Sequence, residues 1–204
     1  MTDNIHWLGH SAVYIEVKKK VIYFDPYKLK SGLPGADIIL ITHGHFDHCS
    51  KDDIGKIIKE ETVVIGPCSI EKKLPYPVKV MTAGDKINIG DIAIEAVEAY
   101  NINKVFHPKA ECYLGFIVTV DGIRIYHAGD TDIIPEMRKI KADIALLPIG
   151  GTYTMDPKEA AKAAGIIKPK IAIPIHWGSS ADSYDDGNNF QKLCRVPVKI
   201  LKKE

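Results

Sequence analysis

Residues 43 to 48 read His43-Gly44-His45-Phe46-Asp47-His48, three imidazoles and a carboxylate in six positions, with Thr42 before them and Cys49 after. Imidazole nitrogens and carboxylate oxygens are the donors that zinc, manganese and iron accept, and a turn through Gly44 can aim alternate side chains at different ions. As pure structure the run makes little sense, because polar side chains packed behind an apolar strand must all find partners. Three of the chain's eight histidines fall here. Asp130, in Gly129-Asp130-Thr131-Asp132, and His176, in Pro174-Ile175-His176, offer the same kinds of donor elsewhere in the chain.

The elements that must position these groups follow from apolar runs and turn punctuation. Val13–Val17 and Val21–Phe24, split by three lysines, read as a hairpin. Buried strands are expected at Ile38–Thr42, Thr62–Ile65, Ile92–Ala99, Leu114–Val120, Ile123–His127, Ile144–Leu147 and Ile171–Ile175, with an Asp121-Gly122 hairpin turn. Helices are expected at Asp52–Lys59 and at Pro157–Ile167, the second capped by Asp156. Strands and helices interleave, so the class is α/β. The chain also repeats itself. Tyr23-Phe24-Asp25 is answered by Tyr126-His127-Ala128, Ala36-Asp37-Ile38 by Ala142-Asp143-Ile144, and Val63-Val64-Ile65 by Ile171-Ala172-Ile173, at offsets of about 103 to 110 residues. The 204 residues therefore read as a single domain of two pseudo-equivalent halves, about 1–100 and 101–204. His43–His48, Asp130 and His176 each follow a strand, and all three places would face one cleft between the halves.

The motif His43-x-His45-x-Asp47-His48, together with Asp130 and His176, resembles the metallo-β-lactamase superfamily, and the likeness runs over essentially the whole chain. Within that superfamily, Trp7-Leu8-Gly9-His10-Ser11 and the stretch Tyr126 to Asp132 are similar to the branch that includes ascorbate-6-phosphate lactonase. The resemblance implies a four-layer αββα sandwich and a dinuclear site. His43 and His45 would bind one ion, Asp47, His48 and His176 the second, and Asp130 would bridge both. The family's remaining histidine follows the strand that here ends Glu98-Ala99-Tyr100-Asn101. His107 is assigned to that position, against the alternative that Asn101 or water takes it. Asp25 reads as a carboxylate that hydrogen-bonds a ligand loop rather than as a ligand. His10 has two open readings, a contact to substrate or ligands and a structural histidine; His6 and His127 read as packing.

Two ions can acidify a shared water enough to make it a nucleophile near neutral pH without a protein base. Asp47 would orient that nucleophile or carry its proton, and Asp130 would hold the ions together, so these two carboxylates are the catalytic candidates. Zinc suits the donors first, and manganese or iron also fit. The implied activity is hydrolysis of an ester, lactone or phosphodiester in a small, anionic substrate, with His10, Tyr153 and Ser179 as candidate substrate contacts. Lys28 and Lys30, and the loops Gly150–Thr154 and Trp177–Ser180, offer further anion-binding groups or ordinary turns.

Composition narrows the rival classes. Twenty-seven basic residues against 26 acidic ones give a net charge of +1, so there is no basic field for nucleic-acid binding. That weakens the rival reading of a nuclease. An electron-transfer or metal-sensing protein is the other rival, but iron-using relatives of that kind carry Glu where His45 stands. The four cysteines show no CxxC spacing, which argues against a zinc ribbon or a disulfide scaffold. The opening residues lack the pattern of a secretory leader and no apolar run is long enough to span a bilayer, so a soluble, cytoplasmic protein without a membrane partner is expected.

Overall fold

In the computed structural model, residues 2–178 and 186–204 are described. Two six-stranded sheets face each other. The first has the order β1-β2-β3-β4-β5-β6 and the second β12-β11-β10-β9-β8-β7. The first comprises β1 Ile5–Gly9, β2 Ala12–Val17, β3 Lys20–Phe24, β4 Ile38–Leu40, β5 Val63–Gly66 and β6 Val78–Val80. The second comprises β7 Lys86–Ile89, β8 Ile92–Glu98, β9 Leu114–Val120, β10 Ile123–His127, β11 Ile144–Pro148 and β12 Ile171–Ile175.

Alternation along the strands sorts the apolar residues into three packed clusters. Ile22, Phe24, Ile38 and Leu40 point between the sheets and meet Ile94, Phe116, Val118 and Leu146 in the central core. Tyr23, Ile39 and Ile41 point the other way, against Ile54 and Ile57 of α1 Lys51–Ile57. On the far side, Tyr126, Ala145 and Leu147 pack against Ala160, Ala163 and Ala164 of α2 Pro157–Ile167 and Phe190 of α3 Asp186–Leu193. Strands covered on both faces need apolar side chains at every position, which is why β4 and β11 read as unbroken runs rather than as alternation. The layers are helix, sheet, sheet, helix, in the expected αββα order. The Asp156 cap of α2 is present as a full capping box with Glu159.

Five strands of each sheet repeat one another in order and direction. β1 to β5 correspond to β8 to β12, each a run of antiparallel pairs passing into parallel ones. One device recurs in detail: the Asp37 carboxylate accepts the Val21 N–H at 2.8 Å at the entry to β3, and the Asp143 carboxylate accepts the Arg124 N–H at 2.8 Å at the entry to β10. The chain changes sheet between Val80 and Lys86, so the repeated unit starts again near Ile92. The boundary expected near residue 100 assigns β7 and β8 to the wrong half, because the conspicuous correspondences lie in the last three strands of each unit. A last segment crosses between the halves, with Lys203 bridged in parallel to Trp7 and the Glu204 N–H donating to the Trp7 carbonyl at 3.1 Å. This covers the exposed edge of β1. No helix among the described residues is long and apolar enough to cross a membrane.

Candidate metal centre

The polar run begins three residues past Leu40, where β4 ends, rather than directly behind a strand reaching Thr42. Its anchor is Asp25, just beyond β3, whose carboxylate is fully buried. Asp25 accepts the Thr42 N–H at 2.8 Å, the Thr42 hydroxyl at 2.7 Å and the His48 Nδ1–H at 2.7 Å. Because the Thr42 hydroxyl gives its proton to Asp25, its oxygen accepts from His43 Nδ1, 3.0 Å away. One carboxylate thereby fixes two imidazoles with Nδ1 protonated and the Nε2 lone pair turned inward. Gly44 is not in the left-handed region. Its lack of a side chain is explained by Lys73, whose amino group donates to the Gly44 carbonyl at 2.5 Å and would lie 2.9 Å from an added Cβ.

The second half contributes from three strand ends. Gly129, with φ +65°, turns the chain after β10, and an added Cβ there would sit 2.7 Å from the Leu114 carbonyl. That turn presents Asp130 to three rings: its Oδ2 lies 3.3 Å from His48 Nε2, 3.3 Å from His107 Nε2 and 3.2 Å from His176 Nε2. His107 is held by Asn101, whose Oδ1 takes both the His107 backbone N–H at 3.0 Å and its Nδ1–H at 3.1 Å. The amide nitrogen of Asn101 donates to Asp132 and to the Tyr153 carbonyl, at 3.2 and 3.1 Å. Asn101 thus uses both ends of its amide to brace His107 and its loop. Asp132 braces the same loop through the Ile102 N–H at 2.9 Å and Lys104 at 2.6 Å. The positioning pair of Asn101 and Asp132 was not read from the sequence, although a second carboxylate two residues past Asp130 was its available signal.

His10 and His176 stand at the ends of β1 and β12, both in the left-handed region at φ 53° and 54°. The His176 N–H donates to the His10 carbonyl at 2.8 Å, which also takes the Trp7 indole N–H at 2.8 Å, and the two imidazoles lie 4.0 Å apart. The Trp7 and Trp177 rings stack at 5.2 Å beside this tie. His10 Nε2 faces Asp47 Oδ2 at 3.5 Å. Strained backbone at two donor-bearing residues is of the kind that functional sites hold.

The donors fall into three converging groups: His43, His45 and His107; His10, Asp47, His48 and His176; and His43, His48 and Asp130, in each of which the ligand atoms lie within 4.8 Å of one another. Donors held about 2.0–2.1 Å from one tetrahedral zinc stand about 3.3 Å apart. The separations of 3.0 Å between His43 Nε2 and His45 Nδ1 and of 3.2 to 3.3 Å around Asp130 are of that size. The Nε2 atoms of His48 and His107 and the Oδ1 of Asp130 are buried without hydrogen-bond partners. Such groups are costly unless a cation takes them up.

The charge states agree. Burial, reinforced by neighbouring imidazoles, pushes His43 well below the ordinary histidine value and lowers His45 and His107, leaving them neutral. His10 is pushed down to about 2, first by burial and then by His176 and His48. Against its burial, Asp130 is held ionised by His176 and His48, well below the ordinary carboxylate value. Against its own burial, His48 is raised by Asp130 and Asp25. Neutral His43, His45 and His107 beside an ionised Asp130 are in the state in which such residues ligate, whereas His48 would give up its proton to an ion.

The other candidates fall in several places. Tyr153 is exposed, its ring edge-on to Phe106 at 4.7 Å, and Ser179 lies outside the described residues. Cys49 beside His48 is partly buried and its thiol is pushed up to about 11, chiefly by burial, so it is no nucleophile. His127 is buried, with Nε2 2.9 Å from the Ser11 carbonyl and its ring stacked on Phe24, whereas His6 pairs with Glu204 at 2.6 Å on the surface.

Comparison with known proteins identifies the family. Residues 4–176 match the β-lactamase superfamily domain. The chain is 36% identical over 200 residues to a UPF0173 metal-dependent hydrolase of Methanoregula boonei, covering 92% of this chain and 88% of that protein. It is 34% identical over 221 residues to another from Archaeoglobus fulgidus, at 97% and 95% coverage. Among solved structures, a Parabacteroides distasonis protein assigned as a metal-dependent hydrolase superposes with a TM-score of 0.87 at 36% identity, over 97% of this chain and 93% of that one. A metallo hydrolase from Ignicoccus hospitalis shares the fold, with a TM-score of 0.82 at 24% identity over 98% and 94% of the two chains. The chain therefore has the metallo-β-lactamase fold and belongs, within that superfamily, to the UPF0173 family of metal-dependent hydrolases.

Proposed function

We propose that the protein is a dinuclear hydrolase in which His43, His45 and His107 hold one ion, Asp47, His48 and His176 the other, and Asp130 both. The observation that carries this reading is Asp130 itself: an ionised, buried carboxylate with one orphaned oxygen and the other within 3.3 Å of three imidazole nitrogens. Divalent ions in these positions, zinc first and manganese or iron as alternatives, supply Lewis acidity and a water acidic enough to attack near neutral pH.

The protein's own groups do the rest. Asp25 and Thr42 keep His43 and His48 in the ligating tautomer, and Asn101 does the same for His107. Asp47, partly exposed at the mouth beside His10, is placed to accept a proton from the attacking water and return it to the leaving oxygen. The electrophile is an ester, lactone or phosphodiester; the likeness of Trp7 to Ser11 and of Tyr126 to Asp132 to the ascorbate-6-phosphate lactonase branch puts lactones and esters first.

Elemental analysis of protein reconstituted with zinc or manganese should find about two ions per chain. Such protein should hydrolyse bis(p-nitrophenyl) phosphate or a simple lactone slowly and in a metal-dependent way. Asp130→Asn should lower that rate by more than about 100-fold, beyond the effect of a group outside the ligand set. A fully loaded protein inert toward esters, lactones and phosphodiesters alike would instead favour a sensing or redox role.

A further inference from the structure

Large apolar side chains exposed to water are concentrated at the mouth of the metal centre. Among the described residues they are Phe46, Val80, Ile102, Val105, Phe106, Tyr153 and Leu193. Only Val80 and Leu193 lie elsewhere, on β6 and α3. Phe46, 75% exposed, sits between His45 and Asp47, and Val105, 84% exposed, precedes Phe106 and His107. The His45 and His107 rings are 5.1 Å apart, so Phe46 and Phe106, their chain neighbours, flank the same opening. Each is propped by a second aromatic ring, Phe46 by Tyr27 at 5.9 Å and Phe106 by Tyr153 at 4.7 Å, both edge-on.

Lys104 and Lys73, which could draw an anion to this mouth, are engaged by the protein's own groups, while Lys28 and Lys30 stay exposed. Lys104 is paired with Asp132 at 2.6 Å, Lys73 donates to the Gly44 carbonyl, and the Lys28 amino group lies over the Tyr27 ring at 5.1 Å. Clustered exposed apolar side chains mark a binding surface, and here Phe46 lies on the segment that carries His45 and Asp47, Ile102, Val105 and Phe106 on the one that carries His107, and Tyr153 on the loop tied to Asn101.

We propose that this collar binds the apolar part of the substrate, and that the substrate is a carboxylic ester or lactone carrying an acyl chain or aromatic ring beside the scissile bond. The proposal rests on the hydrolase reading above and adds the substrate class. In the reaction, water adds its oxygen to the acyl carbon, the bond from that carbon to the alkoxy oxygen breaks, and the alcohol leaves with a proton from the water. The products are a carboxylic acid and an alcohol, with no change of oxidation state.

The test uses metal-loaded protein with p-nitrophenyl acetate and p-nitrophenyl hexanoate. In parallel, calorimetric titrations use methylphosphonate and hexylphosphonate, which are not cleaved. Each fully buried methylene is worth up to about fourfold, so four on a half-open collar should raise kcat/KM for the hexanoate at least about tenfold, and hexylphosphonate should bind tighter by a similar factor. Phe46→Ser and Phe106→Ser should bring both ratios toward one, whereas Leu193→Ser should leave them unchanged. Equal binding of the two phosphonates, or a flat ester series in a protein that cleaves the acetate, would overturn the collar while leaving the hydrolase reading intact. Failure to cleave these esters, a simple lactone and bis(p-nitrophenyl) phosphate alike, with hexylphosphonate still preferred, would defeat the hydrolase reading and keep the collar. A dimer at assay concentrations that Phe106→Ser dissociates would give the surface to a second copy of the chain and overturn the proposal.

Discussion

Asn101 shows how much of a metal centre is built by residues that never touch the metal. Its Oδ1 receives two donors from one residue, so the His107 ring is fixed in both rotation and tautomer, with Nε2 toward Asp130. Removing that acceptor should leave the ring free to turn. On the proposed dinuclear reading, Asn101→Ala is expected to weaken the ion that His43, His45 and His107 would hold by about 10- to 100-fold, with the second ion less affected. His107→Ala should lower the content from two ions to about one; competitive titration against a chromogenic chelator checks both. The donors themselves were legible in the sequence, because His43 to His48 leave few other uses for so dense a run. Asn101 was legible only as a rival to His107, since nothing in a one-dimensional string says that six residues of loop fold back to make the two partners. His10 was undecided for a similar reason: its approach to Asp47 depends on the left-handed turns at His10 and His176.

At the level of elements, the paired aspartates Asp37 and Asp143 do the same work in each half. Each takes the backbone N–H of the second residue of the strand before it and is flanked by lysine, Lys20 and Lys59 on one and Lys170 on the other. Losing either acceptor leaves an N–H at the sheet edge short of a partner, so Asp37→Ala and Asp143→Ala should each lower stability by about 1–3 kcal/mol. The two losses should be similar, as urea titration would show. The buried strands were legible as continuous apolar runs, and α2 by its cap and Pro157. The strands β6 and β7 and the helix α3 were not, and β1 was legible only as the strand that His10 follows. β7 reads Lys86-Ile87-Asn88-Ile89 and β6 is three residues long, so these edge elements carry half the apolar signal of the central ones. The residues of α3, Asp186-Gly187-Asn188-Asn189-Phe190-Gln191-Lys192-Leu193, are poor helix formers at their start, and packing of Phe190 decides the matter.

For the molecule as a whole, buried histidines set the response to acid. His10, His43, His45, His107 and His127 lie below the ordinary value of 6.5, burial being the first cause in each. Between their folded values and 6.5 the unfolded chain binds more protons than the native one, so stability falls as the pH drops through that window. His48, raised by Asp130 and Asp25 against its burial, acts in the opposite sense, its contribution being complete below 6.5 and lost as pH rises through its folded value. Asp130, depressed from 3.8, adds a loss only below that value. With five groups against one, the urea midpoint of chelator-treated protein should fall from pH 7 to pH 5, and saturating zinc at pH 7 should raise it. The strand repeat also carries a consequence for ancestry. The loop after β4 bears four donors while its counterpart after β11, Ile149 to Thr154, bears none of the ligand set; the turn after β12 bears His176 while that after β5 begins with Pro67. Two identical copies of either half would pair as sheets yet would present one loop type twice and the other not at all. Symmetry can build this scaffold, but not this donor set.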